Sequence, residues 1–156
     1  MYLILDPFRR WRDYSGRARR REFWTYAFLT FAAMKAAGFL EDLLGLTSVN
    51  DAGETDASLR AIVLLGLMIP GLAVSVRRLH DSDRAGWWLL LPVAPLLIVI
   101  AGVIGGFDSD ALFWPAAATG VGGPLVLLGL MCIPGTRGPN RFGADPRPDS
   151  LADIFA

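Results

Sequence analysis

The residues best suited to chemistry lie together in the stretch Arg77-Arg78-Leu79-His80-Asp81-Ser82-Asp83-Arg84. His80 is the chain's single histidine. Its imidazole can exchange protons near neutral pH, and a carboxylate beside it, such as Asp81, would raise its basicity. Arg77, Arg78 and Arg84 could hold an anion there, and farther along Asn140 and Arg141 offer an amide and a guanidinium. Such a set would suit a lipid headgroup or another phosphate-bearing substrate. No Ser or Cys nucleophile falls in a recognisable motif. As a zinc set, His80, Asp81 and Asp83 lack a Cys or second His. No catalytic residue, metal or other cofactor is assigned on this basis.

A structural reading explains more of the same stretch. Arg77 and Arg78 close an apolar segment, where cations offset the partial negative charge of a helix carboxyl end. Asp83 is placed to cap the next helix by accepting a backbone N–H. Trp87 and Trp88 then anchor that helix at headgroup level, as Trp24 does for an earlier one. Only His80 and Asp81 are left over.

The elements that must position these residues are visible in the hydropathy. The chain has 156 residues, 53% hydrophobic and 19% charged, with a formal net charge of zero. Four apolar blocks, Phe23–Leu40, Leu59–Val76, Gly86–Ile104 and Ala111–Ile133, contain most of the apolar residues. About 20 residues of helix cross the hydrocarbon core, and none of the blocks alternates as a barrel strand would. The expected fold is all-α and polytopic, with four transmembrane helices. It has a basic amino-terminal segment (1–22), a transmembrane domain (23–133) and a turn-rich tail (134–156). The lone cysteine, Cys132, excludes an internal disulfide. MYLIL is too short for a signal peptide, so the amino terminus is expected to be kept.

Charge alternates between the connections. Arg9, Arg10, Arg12, Arg17, Arg19, Arg20 and Arg21 precede the first block, and Glu41, Asp42, Asp51, Glu54 and Asp56 follow it. Arg77, Arg78 and Arg84 lie between blocks two and three, Asp108 and Asp110 between three and four, and Arg137, Arg141 and Arg147 after the last. The excess of positive charge in cytoplasmic loops then places both termini in the cytoplasm. Leu3, Ile4, Phe8, Trp11 and Tyr14 suggest an interfacial segment whose arginines face anionic headgroups, and a helix is expected to start at Ser15 or Gly16. Glu22 could pair with Arg19 on that helix, and Asp81 or Asp83 with Asn140 or Arg141 of the tail. An amphipathic turn is expected over Leu151, Ile154 and Phe155.

Three elements in this order, SGRARRREFW, RRLHDSDRAGWW and GTRGPNRFGADP, resemble the signatures of the YhaH-like family of small bacterial inner-membrane proteins, a domain of unknown function (number eight hundred and five). The resemblance runs from about Tyr14 to Pro146 and rests most specifically on Arg-Arg-Leu-His-Asp. The family pattern is matched by Gly16, Arg17, Glu22, Phe23 and Trp24, with Asp83 and Ala85 as mild variants in the hairpin. It implies an integral protein of the cytoplasmic membrane and supplies no activity.

Within the blocks, Lys35 is the one charged residue away from a block edge, Arg60 standing at the start of the second, and it is expected to snorkel toward Glu41 and Asp42. Ala32 with Ala36, and Ala33 with Ala37, permit close helix contact within or between copies. Prolines 70, 92, 95, 115 and 124 should kink or open their helices, and TGVGGP (119–124) is the expected break. The favoured function is a non-enzymatic membrane protein whose basic cytoplasmic face binds anionic lipid or a protein partner, another copy of the chain included, and no nucleic acid. The alternatives are a headgroup enzyme with His80 as acid–base, and a small channel or exporter built on the TGVGGP break.

Overall fold

The computed structural model describes residues 2–46, 48–49, 55–56 and 58–147. The helices are α1 (Tyr2–Arg9), α2 (Arg20–Leu43), α3 (Ser58–Asp81), a 3-10 helix (Gly86–Val93) continued by α4 (Ala94–Gly105), and α5 (Ser109–Cys132). A two-residue antiparallel ladder, β1 (Ser48–Val49) with β2 (Thr55–Asp56), and an isolated antiparallel bridge between Asn140 and Gly143 are the β pairings among the described residues of an otherwise helical chain. Asp51, Glu54 and the turn expected over Leu151–Phe155 lie outside the described residues.

Four stretches, Arg20–Leu43, Leu59–Asp81, Gly86–Gly105 and Ala111–Cys132, are long and apolar enough to cross a membrane. They coincide with the four blocks. Burial is inverted relative to a water-soluble domain: Phe28, Phe39, Val103, Ile104 and Trp114 are exposed, while Arg17, Glu41, Arg77, Arg78 and Asp81 are buried. Such a surface is stable against hydrocarbon, where the polar groups must find their partners inside the protein.

Contacts divide the chain into two compact units, residues 1–14 with 21–74 and residues 15–20 with 75–156. In the first, the Phe8 ring of α1 lies 5.7 Å from that of Tyr26. The Tyr26 hydroxyl donates to the Leu67 carbonyl of α3, close to Pro70, whose missing N–H deprives the ladder of one bond. Gly71 lets the ring approach, since a Cβ there would stand 3.2 Å from it. α2 runs to Leu43, beyond the expected limit at Leu40. It ends with Leu46 N–H on the Glu41 carbonyl (2.9 Å), Gly45 N–H on that of Asp42 (3.3 Å), and Gly45 at φ +61°. This is the left-handed helix stop that glycine suits best.

Glu41 is therefore a helix residue rather than part of an exposed acidic loop. It is buried, accepts the Arg60 backbone N–H at 2.9 Å and pairs with the Arg60 guanidinium at 2.5 Å. A carboxylate at the first turn of α3 offsets the positive end of that helix. Lys35 does not reach toward Glu41 and Asp42 as expected. Its ammonium lies 5.6 Å from the ring centre of Phe31, one turn back along α2.

In the second unit α3 continues to Asp81, so Arg77–Asp81 form its last turns and the loop proper is only Ser82–Ala85. The helix expected to start at Ser15 or Gly16 starts instead at Arg20, because Gly16 stands at φ +76°, outside the right-handed helical region. The expected break in the fourth span is absent, since α5 is continuous through Thr119–Pro124. The Thr119 hydroxyl donates back to the Pro115 carbonyl at 2.8 Å.

The discontinuity falls in the third span. Pro92 and Pro95 each remove a donor, the chain winds as a 3-10 helix to Val93, and Pro95 then occupies the first turn of α4, where no N–H is required. α5 packs on this segment through Gly123, where a Cβ would stand 2.6 Å from the Leu91 carbonyl oxygen.

Candidate functional site

The charged end of α3 meets residues 15–20 and the tail within one unit. Asp81, buried at 5% exposure, is the hub. Its Oδ1 accepts from Arg17 Nε at 3.0 Å and its Oδ2 from Arg78 Nη1 at 2.7 Å. Its backbone carbonyl accepts the Thr136 N–H at 2.8 Å. Gly135 brings the tail this close, since a Cβ there would fall 2.0 Å from Oδ2.

Arg17 also donates through Nη1 to the Gly138 carbonyl (2.6 Å) and through Nη2 to that of Thr136 (2.5 Å). Arg78 caps α5, its Nε on the Met131 carbonyl at 3.1 Å and its Nη2 on that of Ile133. Arg20 adds the Cys132 carbonyl at 3.3 Å. The last carbonyls of a helix have no partner of their own, so cationic forks there satisfy both hydrogen bonding and the helix dipole. Arg77 is fully buried, and its carbonyl accepts the Ala18 N–H at 2.9 Å.

His80 is placed for structure. Nδ1 lies 3.1 Å from the Gly16 carbonyl, which can only accept, so Nδ1 carries the hydrogen. The ring stacks on Phe142 with centroids 3.9 Å apart and planes 4° from parallel. Asn140 Nδ2 donates to the His80 carbonyl (2.8 Å) and to Thr136 Oγ1 (3.0 Å), while Asn140 Oδ1 accepts the Phe142 N–H at 2.9 Å.

Asp83 does not cap the third span, whose 3-10 helix starts after Ala85 with no side-chain cap. It ends α3 instead. Asp83 N–H reaches the His80 carbonyl (3.0 Å) and Arg84 N–H that of Leu79 (2.9 Å), with Asp83 at φ +57°. Its carboxylate pairs with Arg141 Nε at 3.2 Å, the link between hairpin and tail foreseen from the charges. Arg84 Nη1 turns back to the Ser82 carbonyl at 3.2 Å.

In the tail, Asp145 accepts the Gly138 N–H at 2.9 Å and pairs with Arg147 at 2.7 Å. Hydrogen bonding to Arg147 holds the Asp145 carboxyl well below the usual carboxylate range. Glu22 and Trp24 lie in the first turns of α2, in the other unit. Trp87 and Trp88 stack on each other 4.7 Å apart, Trp87 exposed.

The structure thus joins Arg17, Arg78, His80, Asp81, Asp83, Asn140 and Arg141 of the expected polar set. It adds Thr136, Phe142 and Asp145, and the glycines 16, 135 and 138. The glycines were the available signal, because Gly135 and Gly138 flank Thr136 in a tail otherwise rich in arginine. Both carboxylate oxygens of Asp81 and the Nδ1 of His80 are engaged, which makes the arrangement a clasp. Among the described residues no group of three or more His, Cys, Asp or Glu is placed to hold a metal ion.

The family model described as "Protein of unknown function (DUF805)" matches residues 11–144. "Inner membrane protein YhaI" of Escherichia coli (strain K12) is 31% identical over 147 residues, 94% of this chain and 97% of that protein. "Inner membrane protein YhaH" of the same strain is 31% identical over 134 residues, 86% of this chain and 87% of its own length. "Uncharacterized protein YiiR" is 31% identical over 137 residues, 85% of each chain. No solved structure matches. The matched region holds every residue of the clasp except Asp145, and the chain belongs to the DUF805 family.

Proposed function

We propose that the protein is a non-enzymatic multi-pass protein of the bacterial cytoplasmic membrane, with both termini cytoplasmic and a basic surface that meets anionic lipid headgroups. The observation that carries this reading is a division among the arginines. Arg17, Arg77 and Arg78 are buried, Arg17 and Arg78 in the clasp, while Arg9, Arg10, Arg12 and Arg21 are exposed in the other unit with Trp11 and Tyr14. Arg12 lies 4.0 Å from the Trp11 ring centre, a pairing of cation and aromatic suited to the membrane interface. Each exposed arginine near an anionic surface contributes about 1 kcal/mol.

The non-enzymatic reading is supported by the engagement of His80 and Asp81 in structural bonds. The cytoplasmic placement is supported by the charge alternation and by relatives described as inner membrane proteins.

Native mass spectrometry of the purified chain with phosphatidylglycerol tests the surface. Replacing Arg9, Arg12 and Arg21 with Gln should reduce retained phosphatidylglycerol severalfold with the melting temperature unchanged, and equal retention sinks the proposal. Orientation is read separately in a Cys132→Ser background. An impermeant maleimide applied to intact cells should label Phe107→Cys and spare Arg137→Cys, and the reverse pattern refutes the topology.

A further inference from the structure

Met34 and Lys35 lie three and four residues after Phe31, Gly38 four and three after them, and Asp42 four after Gly38, so these residues of α2 share a face. With Phe39 and with Arg60 of α3 they line an open groove of about 430 Å³ in the first unit. The Arg60 guanidinium lies over Gly38, its Nε 2.9 Å from where a Cβ would stand, and Glu41 holds it there at 2.5 Å. Those two charges cancel. Asp42 is 67% exposed and only 3.8 Å from Arg60 at the nearest approach.

Lys35 has no carboxylate within ion-pair distance among the described residues, and its ammonium rests against the Phe31 ring. A cation on an apolar helix surface is costly without an anion beside it. This face therefore carries one cation without a carboxylate partner and one exposed carboxylate held only by a long ion pair, at helix positions about 10 Å apart along the axis.

We propose that the groove binds a phospholipid whose headgroup carries a primary ammonium. The phosphate sits on Lys35, the ammonium donates to Asp42, and an acyl chain follows Phe31, Met34 and Phe39. The four charges Lys35, Glu41, Asp42 and Arg60 sum to zero, which matches a zwitterion and disfavours a lipid of net negative charge. The site is independent of the basic surface at the other end of α2 and of the leaflet it faces.

The test is native mass spectrometry of the delipidated full chain in mild detergent with phosphatidylethanolamine, phosphatidylcholine and phosphatidylglycerol of identical acyl chains. Phosphatidylethanolamine should be retained at least about threefold over phosphatidylcholine, and over phosphatidylglycerol once Arg9, Arg12 and Arg21 are Gln and the basic surface no longer holds the anionic lipid, the ratio that one modest hydrogen bond in a membrane provides. Phosphatidylcholine has the same phosphate but no ammonium N–H, so it isolates the contact with Asp42. Lys35→Gln should lower phosphatidylethanolamine retention, and Asp42→Asn should erase its preference over phosphatidylcholine.

Equal retention of phosphatidylethanolamine and phosphatidylcholine by the unaltered chain overturns the proposal even if a variant does not fold. An unchanged preference in both variants does so too. Substituting Arg9, Arg12 and Arg21 should leave this preference intact, so the two lipid proposals fail separately.

Discussion

The Arg78 guanidinium of α3 closes the end of α5, with Nε on the Met131 carbonyl and Nη2 on that of Ile133 while Nη1 keeps Asp81. One planar fork serves three acceptors, which the compact ammonium of a lysine cannot reproduce. Arg78→Ala should destabilise the protein by about 3–5 kcal/mol, because it leaves part of a buried carboxylate and two helix-end carbonyls without donors. Arg78→Lys should recover less than half of that loss. Thermal unfolding of the detergent-purified chain, followed by circular dichroism, gives the comparison. A lysine variant as stable as the parent would show that charge alone matters at this position.

Asp83 occupies the left-handed position that stops α3, at φ +57°, and the next N–H, of Arg84, bonds to the Leu79 carbonyl. Residues other than Gly, Asn and Asp pay about 1–2 kcal/mol there. Asp83→Val should lose that amount. Asp83→Gly should stay within about 0.5 kcal/mol of the parent, since it relieves strain while giving up only an exposed pair with Arg141. The same unfolding measurement decides, and equal losses for Val and Gly would assign the whole effect to the ion pair.

The spans were legible in the sequence because hydropathy accumulates over some twenty residues and tolerates errors at single positions. A link between hairpin and tail was legible because the hairpin offers Asp81 and Asp83 and the tail several arginines, but the charges alone did not say which acid meets Arg141. Other relationships depend on register or contact, which composition does not carry. Glu41 reads as a loop acid until the stop at Gly45 extends α2 past it, and only then can it cap α3 beside Arg60. TGVGGP reads as a break because its residues lower helix propensity. α5 nevertheless runs through it unbroken, and the Leu91 carbonyl that fills the space at Gly123 is a neighbour only the fold brings there. Asp81 was visible as a charge, but its partners Arg17 and Thr136 are 64 and 55 residues away.

Gly123 should therefore be the one glycine of TGVGGP that resists substitution. A Cβ there meets the Leu91 backbone at 2.6 Å, whereas nothing stands within 4 Å of one at Gly122 or Gly129. Gly123→Ala should destabilise by about 1–3 kcal/mol through overpacking. Gly122→Ala and Gly129→Ala should be neutral or stabilising by up to about 1 kcal/mol, since Ala loses less backbone freedom on folding. If all three behave alike, α5 does not pack on the 3-10 segment as described.

Asp145 should make the tail resistant to acid. Its carboxyl is held well below the 3.8 of an ordinary aspartate, chiefly by hydrogen bonding to Arg147. A depressed folded-state value means that the stabilisation is fully present above the unfolded-state value and fades as pH falls through the folded one. The Gly138 amide, which Asp145 holds, should keep its hydrogen-exchange protection, after correction for intrinsic rates, from pH 7 down to about pH 4. Asp145→Asn should lower that protection at every pH in the range. Loss of protection in the parent between pH 5 and pH 4 would contradict the assigned bond.

His80 and Phe142 couple α3 to the tail through a stack 3.9 Å between centroids, and His80 separately holds the Gly16 carbonyl. These two contributions can be told apart by substitution. His80→Phe keeps an aromatic face but removes the donor, and should cost about 0.5–1.5 kcal/mol. His80→Ala removes both and should cost more. In a double-mutant cycle, His80→Ala with Phe142→Ala should fall short of additivity by about 0.5–1.5 kcal/mol, the worth of an aromatic pair beyond its buried area. Additive losses would mean that the rings lie together without stabilising each other, and that His80 serves the fold only through Gly16.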